Sequence, residues 1–136
     1  MELKSSFPEE EIFYIMNELI DGLCKAQEQG IANRDLKLEN IIWVEKEDCF
    51  KIIDFGIGCK LKPGETLMPL TEVKGITETY TAPEILKNLD KIADNSTKKK
   101  YDPFKADVYS MGIIILKLMG MKKKSIEITS KTPILL

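Results

Sequence analysis

Residues 106–119 constrain this chain more than any other stretch. Val108, Tyr109, Met111, Ile113, Ile114, Ile115, Leu116, Leu118 and Met119 crowd into it with hardly a polar break. A helix that is apolar on nearly every side belongs in the middle of a domain, with other elements packed round it. Asp107 opens the run and is expected to cap it. The apolar stretch Met111 to Met121 is interrupted by Lys117 and falls short of the ~20 residues a membrane span needs, so no membrane partner is expected. A chain of 136 residues can build one domain with a real core. The question is what surrounds so apolar a helix.

One neighbour is legible. Ile12, Ile15, Met16, Leu19, Ile20, Leu23 and Ala26 recur at three- and four-residue spacing, which predicts a helix over 9–29. Ser6 and Glu9 have capping-box spacing, Pro8 suits a first turn, and Glu9, Glu10 and Glu11 lie at the positive end of the helix dipole. Gly30 is a plausible stop. A polar loop, 33–40, follows. Residues 41–45 and 49–53 read as two short strands joined by the turn Lys46, Glu47, Asp48. Residues 56–81 carry no sustained period and hold several Gly, Pro and Thr, the pattern of a long functional loop. A short helix is expected at 83–89, and an exposed Lys-rich insertion at 90–101. The fold class is therefore α+β, mostly α. Residues 1–120 read as the folded part and 121–136 as a Lys-rich tail of uncertain structure.

Composition excludes several chemistries. The chain has no His, which removes His-based triads, His general bases and imidazole zinc sites. Cys24, Cys49 and Cys59 are odd in number and never spaced C-x-x-C, so neither a disulfide framework nor a four-cysteine zinc site fits. With no apolar leader in MELKSSFPEEE, the expectation is an intracellular, cytoplasmic protein with reduced thiols. A net charge of -2 argues against binding nucleic acid through bulk charge.

The chemistry gathers at the hairpin. A hairpin brings its ends together, so the loop carrying Asp35, Lys37 and Asn40 should meet the loop that starts Asp54-Phe55-Gly56. Two carboxylates and an amide are oxygen ligands of the kind a hard divalent cation takes. A nearby Lys is a point charge suited to phosphate. The outline is that of a metal-phosphate site.

Here the sequence resembles a protein kinase. Asn33-Arg34-Asp35-Leu36-Lys37-Leu38-Glu39-Asn40 is similar to the catalytic loop H-R-D-L-x-x-x-N, Asp54-Phe55-Gly56 to D-F-G, and Ala82-Pro83-Glu84 to A-P-E. Residues 101–112, YDPFKADVYSMG, resemble the start of the family's central helix. The motifs stand in the family's order. The resemblance implies a serine/threonine kinase that uses ATP and Mg2+ on a protein substrate. It implies that Asp35 accepts the hydroxyl proton, that Asn40 and Asp54 hold the metal, and that Lys37 neutralises the transferred phosphoryl group. Ile42 would line the nucleotide site with Lys37, Asn40 and Asp54, and Thr77 would line the acceptor site. Glu39 is a candidate reader of a basic substrate residue. Arg34, the one Arg, would receive a phosphate on the activation loop, with Lys60 as second contact. Thr66, Thr71, Thr77 and Thr79 are candidates for that phosphate, and Thr71 is preferred. An upstream activating kinase is thereby implied as a partner.

The sequence also departs from the family pattern. Asn33 replaces the usual His, which implies a looser stack under Phe55. Neither a Gly-rich loop nor a V-A-I-K-like lysine precedes the helix at 9–29. The resemblance is therefore to part of the catalytic domain, its C-lobe, with the nucleotide-covering N-lobe absent. Glu84 is expected to be buried without its arginine partner, at a cost on the order of 3–5 kcal/mol. The chain by itself is expected to be inactive and marginally stable. The alternative is a non-catalytic kinase-like module that binds partners.

Overall fold

The computed structural model describes residues 7–122. The first helix, α1, spans Glu9–Glu28. Ser6, the expected cap, lies outside the described residues. The helix ends at Gln29, and Gly30 takes φ 74° just beyond it. That left-handed turn, with the close approach behind it, requires glycine: a Cβ on Gly30 would sit 2.8 Å from the Leu61 carbonyl oxygen.

The most apolar helix, α4, spans Pro103–Leu118. Its cap is Asp102, not Asp107. The Asp102 carboxylate accepts from the backbone N–H of Phe104 at 2.9 Å and of Lys105 at 3.0 Å. Pro103 occupies the first turn, where its missing N–H costs nothing. The helix therefore starts earlier than 106, and Asp107 sits inside it, 1% exposed.

Helix α1 buries Ile15, Leu19 and Leu23 against Met111, Ile113, Ile114 and Leu118 of α4, with Leu36 and Tyr80 completing the cluster. Ile114 is fully enclosed. Burying a side chain of that size stabilises by about 1.5–3 kcal/mol. Only part of α4 is covered among the described residues: Val108 is 58% exposed, just past the first turn, and Met119 is 55% exposed just beyond the helix end. An all-round apolar pattern has thus been satisfied on one face.

The expected hairpin forms. Strand β2, Ile41–Val44, pairs antiparallel with β3, Cys49–Ile52, in the register Ile41 to Ile52 and Trp43 to Phe50. The rings of Trp43 and Phe50 meet edge-on, 4.9 Å between centroids. The Glu18 carboxylate accepts from the Phe50 backbone N–H at 2.6 Å and fastens the hairpin to α1.

Two other pairings carry no sequence signature. Strand β1, Ile31–Ala32, pairs with β4, Cys59–Lys60. Strand β5, Met68–Pro69, pairs with β6, Lys100–Tyr101. Most of 90–101 is exposed, as expected for an insertion, but its last residue is not: Tyr101 is buried in a satellite cluster with Met68, Leu70, Ala82, Ile85 and Ala106. The short helix expected at 83–89 forms as α2, Pro83–Leu86, and a second short helix, α3 at Leu89–Ala93, follows it into the segment read as an insertion. Glu84 is exposed, so the desolvation penalty expected for it does not arise.

Candidate functional site

The loop that follows β1 is shaped from below by a single buried side chain. Asp107 of α4 accepts from the backbone N–H of Asn33 at 2.7 Å and of Arg34 at 2.8 Å. Asn33 is itself fully buried. Its side-chain oxygen accepts from the Asp35 N–H at 2.9 Å, and its side-chain nitrogen donates to the Asp54 carbonyl at 3.4 Å. Asn33 therefore works as a two-ended hydrogen-bond bridge between the two polar loops. The expected loose stack under Phe55 is replaced by this bridge, because an amide has a donor and an acceptor to place. Phe55 lies on the surface, 41% exposed, in a groove with Gly22 and Ile52.

Those bonds hold strained backbone. Arg34 has φ 65° and Asp54 φ 66°, left-handed values that non-glycine residues seldom adopt. Such conformations cost of order 1–3 kcal/mol each and persist only where surrounding contacts fix them. Each residue opens or precedes a candidate functional group, and the strain sets the direction in which that group is presented.

Three of the expected site residues form one network. The Asn40 side-chain nitrogen donates to the Asp35 carbonyl at 3.0 Å and to the Asp35 carboxylate at 3.3 Å. The Lys37 ammonium lies 3.4 Å from the same carboxylate. The Ile53 N–H donates to the Asn40 carbonyl at 2.8 Å, so the hairpin ladder continues past its strand end, up to the residue before Asp54. Asp54 is exposed, and its carboxylate accepts from the Gly56 N–H at 2.9 Å. A Cβ at position 56 would come 2.8 Å from that carboxylate oxygen, so a larger residue there would push the Asp54 side chain off this bond.

Among the described residues no three His, Cys, Asp or Glu side chains gather as a self-sufficient metal site. The side-chain oxygens of Asn40 and Asp54 are of the kind Mg2+ takes alongside phosphate and water, the usual habit of that cation.

The remaining candidates are more scattered. Ile42 is 40% exposed on β2. Thr77 lines a small cavity of about 40 Å³ together with Asp35, Arg34 and Asp107. Its carbonyl accepts from the Thr81 hydroxyl at 3.0 Å. Arg34 donates through Nε to the Ile57 carbonyl at 2.6 Å and through a terminal nitrogen to the Glu72 carbonyl at 2.9 Å. It thereby ties the start of the long loop to a point some two-thirds of the way along it. Thr71 stands in the short 3-10 turn Leu70–Glu72, next to the residue Arg34 holds. Lys60 is exposed on β4.

Two residues shape the site from beneath. The sequence marks Asp107 through its motif and as a cap, while a lone carboxylate within an apolar helix is also a signal that something distant needs an acceptor. Tyr80, which no sequence pattern marks, is the other. Its hydroxyl accepts from the Leu38 N–H at 3.3 Å, and its carbonyl accepts from the Ser110 hydroxyl at 2.7 Å. It ties the catalytic-type loop to α4.

Comparison with known proteins agrees with the geometry. The family described as protein kinase domain matches residues 1–132. Sperm motility kinase 2A of Mus musculus is 35% identical over 107 residues, 79% of this chain and 18% of its own length. The meiosis-specific serine/threonine-protein kinase mek1 of Schizosaccharomyces pombe is 33% identical over 134 residues, 88% of this chain and 29% of its own length. Maternal embryonic leucine zipper kinase of Danio rerio is 33% identical over 116 residues, 85% of this chain and 15% of its own length. The chain thus spans less than a third of each of these curated relatives.

Proposed function

The chain belongs to the protein kinase family, and from that premise we propose that its site serves transfer of the γ-phosphate of ATP to a serine or threonine hydroxyl of a protein. The observation that carries this reading is the joining of Asp35, Lys37 and Asn40 in one network, with Asn33 bridging the Asp35 N–H to the Asp54 carbonyl. Serine/threonine-kinase relatives support the acceptor class.

In this reading Asp35 takes the proton of the acceptor hydroxyl. Asn40 keeps the Asp35 carboxylate in place through its side-chain nitrogen. Lys37 sets a positive charge where negative charge develops on the oxygens of the transferred group. Asn40 and Asp54 are the residues that would hold Mg2+. When bound, Mg2+ with ATP supplies the transferable phosphoryl group and the neutralisation of its charge.

The test is calorimetric binding of ATP with and without Mg2+, paired with transfer to a Ser/Thr peptide. Asp54→Ala is expected to weaken Mg2+-dependent binding at least as much as loss of a second-layer partner does at a metal site, about 10- to 100-fold. A chain that neither binds ATP with Mg2+ nor transfers phosphate would leave the non-catalytic kinase-like module as the better reading.

Regulation follows the same logic. Arg34 and Lys60 are proposed to receive a phosphate placed on Thr71 by an upstream kinase, since a phosphothreonine brings about two negative charges to the turn that Arg34 already reaches. Hydrogen exchange is expected to show residues 57–72 better protected after phosphorylation. In Thr71→Ala the gain disappears. Equal gain in that variant would remove Thr71 from the proposal.

A further inference from the structure

Lys98, Lys99 and Lys100 are fastened beside the turn that carries Thr71. Lys100 pairs with Pro69 across β5 and β6, and the Lys99 carbonyl accepts from the Leu70 N–H at 3.0 Å. In an antiparallel pair, the residue two places past the direct partner is a diagonal neighbour within reach of a long side chain. For Lys100 that residue is Thr71. The lysine segment is anchored by packing as well. Ile92 of α3 lies against the cluster that buries Met68, Leu70 and Tyr101. The three lysines are exposed and Thr71 is half-buried. Among the described residues none of the three lysines has a carboxylate partner. Arg34 reaches the same turn, donating to the Glu72 carbonyl at 2.9 Å. The Thr71 turn therefore has three ammonium groups alongside and a guanidinium bonded to its main chain.

We propose that this lysine run, with Lys100 foremost, joins Arg34 as the main receiver of a phosphate on Thr71, and that Lys60 contributes less. The proposal rests on the reading that Thr71 takes a phosphate. A phosphothreonine brings about two negative charges and three acceptor oxygens, more than one ammonium can satisfy. Lys60 is turned elsewhere. The Cys59 sulfur packs on that of Met68 at 3.6 Å, and successive residues of a strand face opposite ways, so Lys60 faces away from that cluster. The segment 87–105 holds six Lys against three Asp. Of these, Asp102 caps α4, Asp94 accepts from the Ser96 N–H, and Asp90 is exposed on α3. Glu72, next to Thr71, opposes a phosphate, but it is one exposed carboxylate against three lysines. The consequence is a charge tie between the long loop and the segment that leads into α4, the helix whose Asp107 holds the backbone at Asn33 and Arg34.

The experiment uses the full chain with phosphothreonine installed at position 71 by protein ligation, so that no upstream kinase is needed. Phosphorus NMR follows the last ionisation of the phosphate with pH, beside an isolated phosphopeptide of residues 67–75. Nearby cations favour the dianion. The phosphate in the full chain is expected to hold its last proton about 3- to 10-fold more weakly than in the peptide. Replacing Lys98, Lys99 and Lys100 together by Gln should remove most of that difference. Lys100→Gln alone should remove part of it, and Lys60→Gln less than the triple change. The three side chains are exposed, and the single Lys100→Gln keeps the test open should the triple variant fail to fold. Lysine variants that titrate like the unmodified chain, or a larger effect from Lys60→Gln than from the triple change, would overturn the proposal. A phosphate that titrates as in the isolated peptide would overturn it as well. Failure of the underlying regulatory reading has a different signature: the titration answers to the lysines, yet hydrogen exchange over 57–72 is the same with and without the phosphate. That result upholds the lysine contact and strikes the ordering role of Thr71.

Discussion

Asp107→Ala is expected to destabilise the chain by roughly 2–5 kcal/mol, enough to unfold much of a protein whose total stability is of the usual 5–15 kcal/mol. The substitution strips the acceptor from two backbone N–H groups, those of Asn33 and Arg34, at a place water does not reach. Each orphaned donor costs about 1–3 kcal/mol, and the missing carboxylate leaves a void beneath them. The left-handed backbone at Arg34 would also lose the bond that holds it. Urea unfolding followed by circular dichroism measures the cost, and an unchanged midpoint would show that the loop is held by other means.

The cost is expected to depend on pH, with a definite sign. Burial raises the Asp107 carboxyl from its usual 3.8 to about 6, against the opposing pull of the two N–H groups and of the Arg34 charge. A folded-state pKa above the unfolded one means that the native chain binds more protons between those values. The contribution from this group is therefore complete below pH 3.8 and is lost as pH rises through 6, by on the order of 3 kcal/mol. The gap between the unmodified chain and Asp107→Ala should be wider at pH 4.5 than at pH 7.5. A gap that is constant with pH would mean that Asp107 ionises in the folded chain as it does in the unfolded one.

Asp35→Asn is expected to lower phosphate transfer by about 10²- to 10⁴-fold while leaving ATP binding nearly unchanged. The amide matches the carboxylate in shape, and the bond from Asn40 to the Asp35 main-chain carbonyl does not depend on the side chain. What disappears is the capacity to take a proton from the acceptor hydroxyl, together with the pairing to Lys37. A loss in the rate of transfer with little change in affinity is the pattern of a group that acts in the transition state. Single-turnover transfer from labelled ATP to a serine peptide reads the rate, and calorimetry reads the affinity. Transfer at the unmodified rate would take the proton-accepting role away from Asp35.

The motifs, α1 and the β2–β3 hairpin could be read from the sequence because each is written in local pattern. The three- and four-residue spacing from Ile12 to Ala26 specifies a helix, and two short apolar runs around Lys46–Asp48 specify a hairpin whose ends must meet. The convergence of the Asp35 and Asp54 loops follows from that hairpin alone. Strands of two residues have no period to detect, so the pairing of β1 with β4 and of β5 with β6 was decided by packing. Tyr101 is buried because Met68 lies across from it, not because of its Lys neighbours. The Lys-rich context argued for exposure, which holds for the lysines, and the tertiary contact decided otherwise for Tyr101 alone.

Asp107 marks the boundary between the two kinds of information. From sequence it could be placed in the first turn of an apolar helix, where capping is the nearest use for a carboxylate. In the folded chain Asp102 caps the helix, and Asp107 reaches residues more than 70 positions away, whose N–H groups have no other side-chain acceptor among the described residues. Local pattern marked the candidate residues and their order. Only the tertiary structure decided what holds them in position, because hydrogen bonds between distant segments depend on which faces are buried together, and short-range spacing does not record that.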